Sequence, residues 1–264
     1  MFGYYSFGFP VHMASMYAAI CYDCDQKRMQ SVIKSTLFDG LDLVPGSAEL
    51  SIFEEECRQR FFSENLRYPD ASIRIASALK EVEADYDVIV LACGDGGFLT
   101  AGAYEAATGV LVTVRPEVPE IVSMTSSLYL FKHFVAQIEE AGRTINHDFV
   151  KVLVTRHDPR DVSQQNTIAN LREIMEDDLL TATVWESDAI RRAGDKGQSL
   201  YELSSGEVGR SSYEQAMKSL NSANAEIMDI MSEVWGRDPF YVSLASRSTT
   251  AGKASSESRG SSRV

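Results

Sequence analysis

The sequence contains no Gly-Lys-Ser or Gly-Lys-Thr triplet. The usual phosphate loop, in which glycine amides, a lysine and a hydroxyl converge on a nucleotide, is therefore missing. No run of 18 or more apolar residues occurs, which excludes an ordinary membrane-spanning helix. Basic residues are in deficit: 25 Lys and Arg stand against 38 Asp and Glu, a formal net charge of −13. That balance excludes a body coated in DNA-binding surface but leaves room for a local basic patch. Cysteine is scarce. Cys21 and Cys24 form the one C-x-x-C, with His12 nearby, and Cys57 and Cys93 are isolated. A structural zinc site needs four ligands, so no metal site is expected and the cysteines read as ordinary reduced thiols. Residues 1–22 have no basic start, and Pro10 and His12 interrupt their apolar stretch. They do not read as a secretory signal, and the chain is expected to be cytoplasmic.

What is present suits a soluble globular protein. The 264 residues are 44% hydrophobic and 24% charged, enough for one large α/β domain or two small ones. Strand and helix patterns alternate along the chain. "GLDLVPG" (40–46) reads as a short strand ending in a turn. Residues 47–65 read as a helix with Ser47 as N-cap, and 70–86 as a helix capped by Asp70. Strands are expected at 87–93, 109–116, 149–156 and 180–185, and helices at 98–108, 119–141, 161–176, 187–193 and 211–235. Apolar strands separated by helices imply a parallel sheet covered on both faces. In the last helix, Tyr213, Met217, Leu220, Asn224, Ile227 and Met231 fall at three- and four-residue steps, a face that reads as core packing rather than a partner groove. From Ser243 the composition turns Ser/Gly-rich with Arg247, Lys253, Arg259 and Arg263. The segment 243–264 is expected to be a disordered tail, either a solvated terminus or a weak electrostatic contact for nucleic acid.

The stretch "VIVLACGDGG" (88–97) is an apolar run opening into a glycine turn. In a nucleotide-hydrolysing α/β protein a magnesium-facing carboxylate belongs at such a strand end. Ala92 stands there and cannot coordinate magnesium, directly or through water. Asp95 is the one carboxylate that could substitute, from beyond the strand end.

Four blocks together resemble the ParA-type plasmid partition ATPases, in the replication-cassette version called RepA: "GLDLVPGSAEL", "YDVIV…CGDGGFLTAGAYEAATGVLVTVRPEVPEIVSM", "DFVKVLVTRHDPRDVSQQNTIANLRE" and "SDAIRRAGDKGQSLYELSSGEVGRSSYEQAMKSLNSANAEI". The resemblance covers most of residues 1–236 and rests on the order and spacing of the blocks. It implies an α/β three-layer sandwich with a mostly parallel sheet, P-loop NTPase-like and of the SIMIBI class. It also implies an ATP-bound dimer with magnesium that binds DNA non-specifically, and a centromere-binding partner protein that stimulates hydrolysis. By the same resemblance Thr155 and Arg156 lie beside the nucleotide base, and Arg191 and Arg192 are candidates for DNA contact. Read from the residues alone, Thr155 and Arg156 are equally a strand terminus before a helix. Two adjacent arginines point to different sides of a helix, so one of them at most would face a given partner.

The chain departs from the family in three ways. The phosphate loop is absent, and "AGDKGQS" (193–199) falls in the late helical region, not after a first strand. "MFGY" resembles the segment following the family's second Asp-containing motif, so the phosphate-loop strand and the N-terminal DNA-binding region would lie upstream. The family's Asp-Cys-Pro-Pro is replaced by Ala92, Cys93, Gly94, Asp95 and Gly96. Phosphoryl transfer relies on positioning and charge stabilisation by these missing parts. The expectation is a partition-type protein without catalytic residues, bound ATP or magnesium. It would act by binding an intact ParA-type homologue, a second copy of itself or a partition partner. An ATPase built on Asp95 and an unrecognised phosphate loop is the alternative, and a decayed gene product is the other.

Overall fold

The computed structural model describes residues 15–22, 25–36, 38–63, 68–94 and 96–236. Asp95 and the tail 243–264 lie outside the described residues. Two compact units divide the chain, Met1–Ala223 and Asn224–Val264. The described part of the second is the end of the last helix.

In chain order the elements are α1 (Met16–Ile20), α2 (Met29–Val32), β1 (Lys34–Ser35), β2 (Asp42–Leu43), α3 (Leu50–Ser63), α4 (Tyr68–Lys80), α5 (Gly97–Ala106), β3 (Gly109–Val114), α6 (Val118–Glu140), β4 (Phe149–Val154), α7 (Val162–Met175), α8 (Asp188–Asp195), α9 (Ser205–Val208) and α10 (Arg210–Trp235). β3 and β4 pair in parallel from Gly109↔Phe149 to Val114↔Val154, with α6 as the crossover that parallel pairing requires. β1 and β2 form a short antiparallel pair. The architecture is mixed α/β with a parallel sheet, as expected, but helix dominates it.

Two expected strands are not ladder strands. Residues 180–185 run along the free edge of β4, where Leu180 N–H donates to Val152 O at 2.8 Å and Val184 N–H to Val154 O at 2.9 Å, but only isolated bridges form. Residues 87–93 form no named element and belong to no sheet. Their β-branched run has the right propensity; what is missing is a partner ladder, and a strand is defined by its partner.

Helix limits follow local chemistry. Asp161 caps α7, accepting the N–H groups of Ser163 and Gln164 at 2.8 and 3.2 Å. α6 closes at Gly142, whose φ of +80° suits glycine, with Arg143 N–H reaching back to Ile138 O at 3.2 Å. Asp70 lies inside α4 rather than capping it, because the helix starts at Tyr68. α3 begins at Leu50, not at Ser47, although Ser47 O accepts Leu50 N–H at 3.1 Å.

Three apolar clusters hold the first unit. One gathers Ile20, Val32, Phe53, Ile75, Leu79 and Phe98 from α1 to α5. The second packs Val114, Val152 and Val154 of the sheet against Met124 of α6 and Ile168 and Leu171 of α7. The third joins Ala189 and Ala193 of α8 to Leu200, Leu203, Val208 and Ala216. α4 and α5 approach closely at Gly102, where a Cβ would meet Ile75 Cδ1 at 2.6 Å. The half-buried pair Arg143–Glu105, 3.1 Å apart, ties the end of α6 to α5, and Ser72 of α4 donates to the same carboxylate. The first half of α10 packs as expected, with Ala216 and Ser219 buried and Tyr213, Met217 and Leu220 on the third cluster; further along the same face Asn224 is exposed and Ile227 and Met231 join none of the three clusters. The reading of four reduced thiols needs correction, because Cys21 is disulfide-bonded.

Candidate functional site

The glycine turn is built by two residues in the left-handed region, Gly96 with φ +75° and Gly97 with φ +88°, where a side chain is strained. The turn delivers the backbone into α5 and exposes that helix's first N–H groups. Two of them are already taken. Glu54, on α3, accepts Phe98 N–H at 3.0 Å and Leu99 N–H at 2.8 Å. A carboxylate is the group a helix N-terminus favours. The fit is close: a Cβ on Gly97 would lie 2.7 Å from Glu54 Oε1. Thr100 folds its hydroxyl back onto the carbonyls of Gly96 at 2.6 Å and Gly94 at 3.0 Å. Ala92 adds only a methyl group. Among the described residues no group of three His, Cys, Asp or Glu side chains stands close enough to hold a metal ion. At this turn Glu54 therefore holds two of the α5 amides, and Ala92 adds no carboxylate.

A second cluster of polar groups lies at the carboxyl ends of β3 and β4, the usual crevice position in an open α/β sheet. Thr155 N–H donates to Val114 O at 2.8 Å, and its hydroxyl turns to the same carbonyl at 3.4 Å. Arg156 has φ +53°, a strained conformation for a side-chain-bearing residue. Its guanidinium donates to both oxygens of Glu186, at 2.8 and 3.4 Å. Arg156 beside it, aided by Arg115 and Arg191, holds the Glu186 carboxyl below the usual range against some burial. Next in line, His157 pairs Nδ1 with Thr183 Oγ1 at 3.1 Å, while its buried Nε2 has no partner among the described residues. Burial lowers its pKa, and the positive charge of Arg172 adds to that. Thr155 and Arg156 thus stand together at a strand end, but each is engaged with its own chain.

Arg191 and Arg192 sit on α8, which Ser187 caps by accepting Ala189 N–H at 3.1 Å. Ala189 and Ala193 face the core, so both arginines, lying between them, are exposed. Arg191 pairs with Asp188 at 2.8 Å; Arg192 makes no ion pair among the described residues. Glu54, Glu186 and Arg115 are the polar residues that pattern reading did not single out. Glu54 had no sequence signal, sitting in a run of three glutamates whose members look alike until α3 is packed.

The architecture and the order of these parts match known proteins. The chain is 33% identical over 225 residues to a Sinorhizobium fredii protein named "Putative replication protein A", across 84% of this chain. A solved structure titled "Partition Protein" superposes with a TM-score of 0.58 at 16% identity, covering 79% of this chain and 51% of that one. The chain belongs to the ParA-type family. McdA from Cyanothece, in its apo form, also shares the fold of this ParA-type chain, with a TM-score of 0.56 at 17% identity over 78% of this chain and 77% of that one. These neighbours share its α/β fold. No family model matches the sequence. The ParA-type chain spans 55% of the length of the Sinorhizobium relative, about half.

Proposed function

We propose that this ParA-type chain serves plasmid partition by binding, without holding or hydrolysing ATP. Glu54 carries the reading: its carboxylate holds two of the α5 amides at the glycine turn, and Ala92 just before that turn supplies no metal ligand. The names of the relatives support a replication or partition setting, and the missing Gly-Lys-Ser/Thr triplet supports the absence of nucleotide chemistry. The partners that fit are an intact ParA-type homologue in a mixed dimer, a second copy, or a centromere-binding partition protein. Arg191 and Arg192, exposed on α8, are the described side chains that suit a weak, salt-sensitive DNA contact. A cytoplasmic location goes with this role; no helix among the described residues is long and apolar enough to cross a membrane. Thr155 and Arg156 are read as a strand-end brace in place of a base pocket.

The test is calorimetric titration of the folded chain with Mg-ATP, alongside phosphate release. No heat of binding and no release above background is the expected result. Micromolar binding, or release that disappears in Asp95→Ala, would overturn the reading in favour of a working ATPase.

A further inference from the structure

Asp39 and Gly40 are the two central residues of a tight turn between β1 and β2. Phe38 O accepts Leu41 N–H at 3.2 Å. Gly40 has φ +75°, and Asp39 does not share that positive value. This is the pattern of a type II turn, whose third position favours glycine. Thr36 clamps the turn from one side. Its hydroxyl donates to Leu41 O at 2.7 Å and accepts Phe38 N–H at 3.1 Å, and its own N–H reaches Leu41 O at 3.3 Å.

These hydrogen bonds bypass the two central residues. Among the described residues, Gly40 N–H has no acceptor, and the Asp39 carboxylate has neither a donor nor a cation. Both residues are exposed. A Cβ on Gly40 would meet nothing within 4 Å. The side-chain carbonyl carbon of an aspartate lies within reach of the next residue's nitrogen, and closing that bond gives a five-membered imide. A side chain on the following residue hinders the closure, and so do bonds that hold the carboxylate. Other aspartates are restrained in these ways. Asp161 accepts two N–H groups of α7, Asp158 and Asp188 pair with arginines, and Asp42 accepts the Tyr86 hydroxyl and precedes Leu43. Asp39 has none of these restraints.

We propose that Asp39–Gly40 is a site of spontaneous backbone isomerisation in the folded chain. Gly40 N bonds to Asp39 Cγ, and the amide proton and the carboxyl hydroxyl leave as water. Water then reopens the imide. Attack at Cγ restores aspartate. Attack at the main-chain carbonyl of Asp39 breaks the original peptide bond and leaves isoaspartate, with the chain running through Cβ and Cγ and a new α-carboxylate on the turn. Nothing is oxidised or reduced, and water is the only co-reactant. The main chain between Phe38 and Leu41 gains one methylene, which the Thr36 clamp and the four-residue turn do not accommodate. This goes beyond the partition reading and does not depend on it.

The full chain is aged in heavy-oxygen water at mildly acidic pH, folded and in urea, and digested with trypsin. The peptide of residues 35–58 carries both Asp39 and Asp42, and electron-transfer fragmentation assigns the isomer to one of them. Isoaspartate and heavy oxygen are expected at Asp39 and not at Asp42, at comparable rates in the folded and unfolded chains. Gly40→Ala should slow the reaction roughly tenfold, since a side chain crowds the attacking nitrogen and restricts φ. Asp39→Glu should stop it. Asp39→Asn, which suits the same turn, should give the same product faster, with ammonia leaving in place of water. Circular dichroism checks that each variant is folded. Isomer that forms in urea but not in the folded chain would overturn the proposal. So would equal conversion at Asp42, or a rate indifferent to both Gly40→Ala and Asp39→Asn.

Discussion

Glu54 and Phe98 lie 44 residues apart in sequence, and the carboxylate of the first accepts the backbone N–H of the second at 3.0 Å. With Leu99 N–H held at 2.8 Å, one side chain satisfies two of the amides that begin α5 and fixes α3 to the glycine turn. A charged acceptor makes the stronger kind of hydrogen bond.

Removing that carboxylate should loosen both helices. Glu54→Ala is expected to cost about 1–3 kcal/mol, the range for a hydrogen bond to a charged group and its orphaned donors. Urea unfolding measures it. Glu54→Gln, which keeps an acceptor but not the charge, should cost less.

Gly97→Ala should destabilise for two separable reasons, a left-handed φ of +88° and a Cβ 2.7 Å from Glu54 Oε1. The backbone share is on the order of 1 kcal/mol. In the Glu54→Ala background only that share should survive. A double-mutant cycle with no coupling would mean that the carboxylate simply swings aside.

Acid should weaken the fold through His157. Burial lowers its folded pKa below the reference 6.5, so the unfolded chain binds the proton more readily. The stability from neutral His157 is fully present above about pH 6.5 and is lost as pH falls through the lower folded value. His157→Gln should flatten the slope of stability between neutral pH and mild acid. Glu207 acts further down. The Lys196 ammonium at 2.7 Å and the Ser204 donors hold its carboxyl at about 2. Its contribution is present above the reference 4.5 and is lost from there toward pH 2. Glu207→Gln should remove that lower limb alone.

Cys57 should be chemically silent in the native chain. Burial, with Glu54 adding to it, pushes the thiol up to about 12, leaving almost no thiolate at mildly alkaline pH. Iodoacetamide labelling followed by peptide mass analysis should find Cys57 unmodified until denaturant is added.

Phe53 is fully buried and stacks on Tyr22 with ring centroids 5.8 Å apart. Phe53→Ala is expected to cost about 3–5 kcal/mol, a large fraction of the stability of an ordinary domain. A fall in the urea midpoint with an unchanged slope would confirm loss of packing alone.

The order of helices, the two parallel strands β3 and β4 and the class of the fold were legible in the sequence, because each rests on local periodicity and end signals. α7 is the clearest case, beginning and ending within a residue of expectation. The state of Val88–Ala92 was not legible. Its residues favour a strand, but pairing is decided by what lies alongside, and none of the named strands pairs with it. The occupancy of the glycine turn was also beyond the sequence. Which of Glu54, Glu55 and Glu56 reaches α5 depends on how α3 is rotated, and Phe53 and Cys57, buried in the core, set that rotation. Periodicity is a property of one segment; hydrogen bonds between segments belong to their packing.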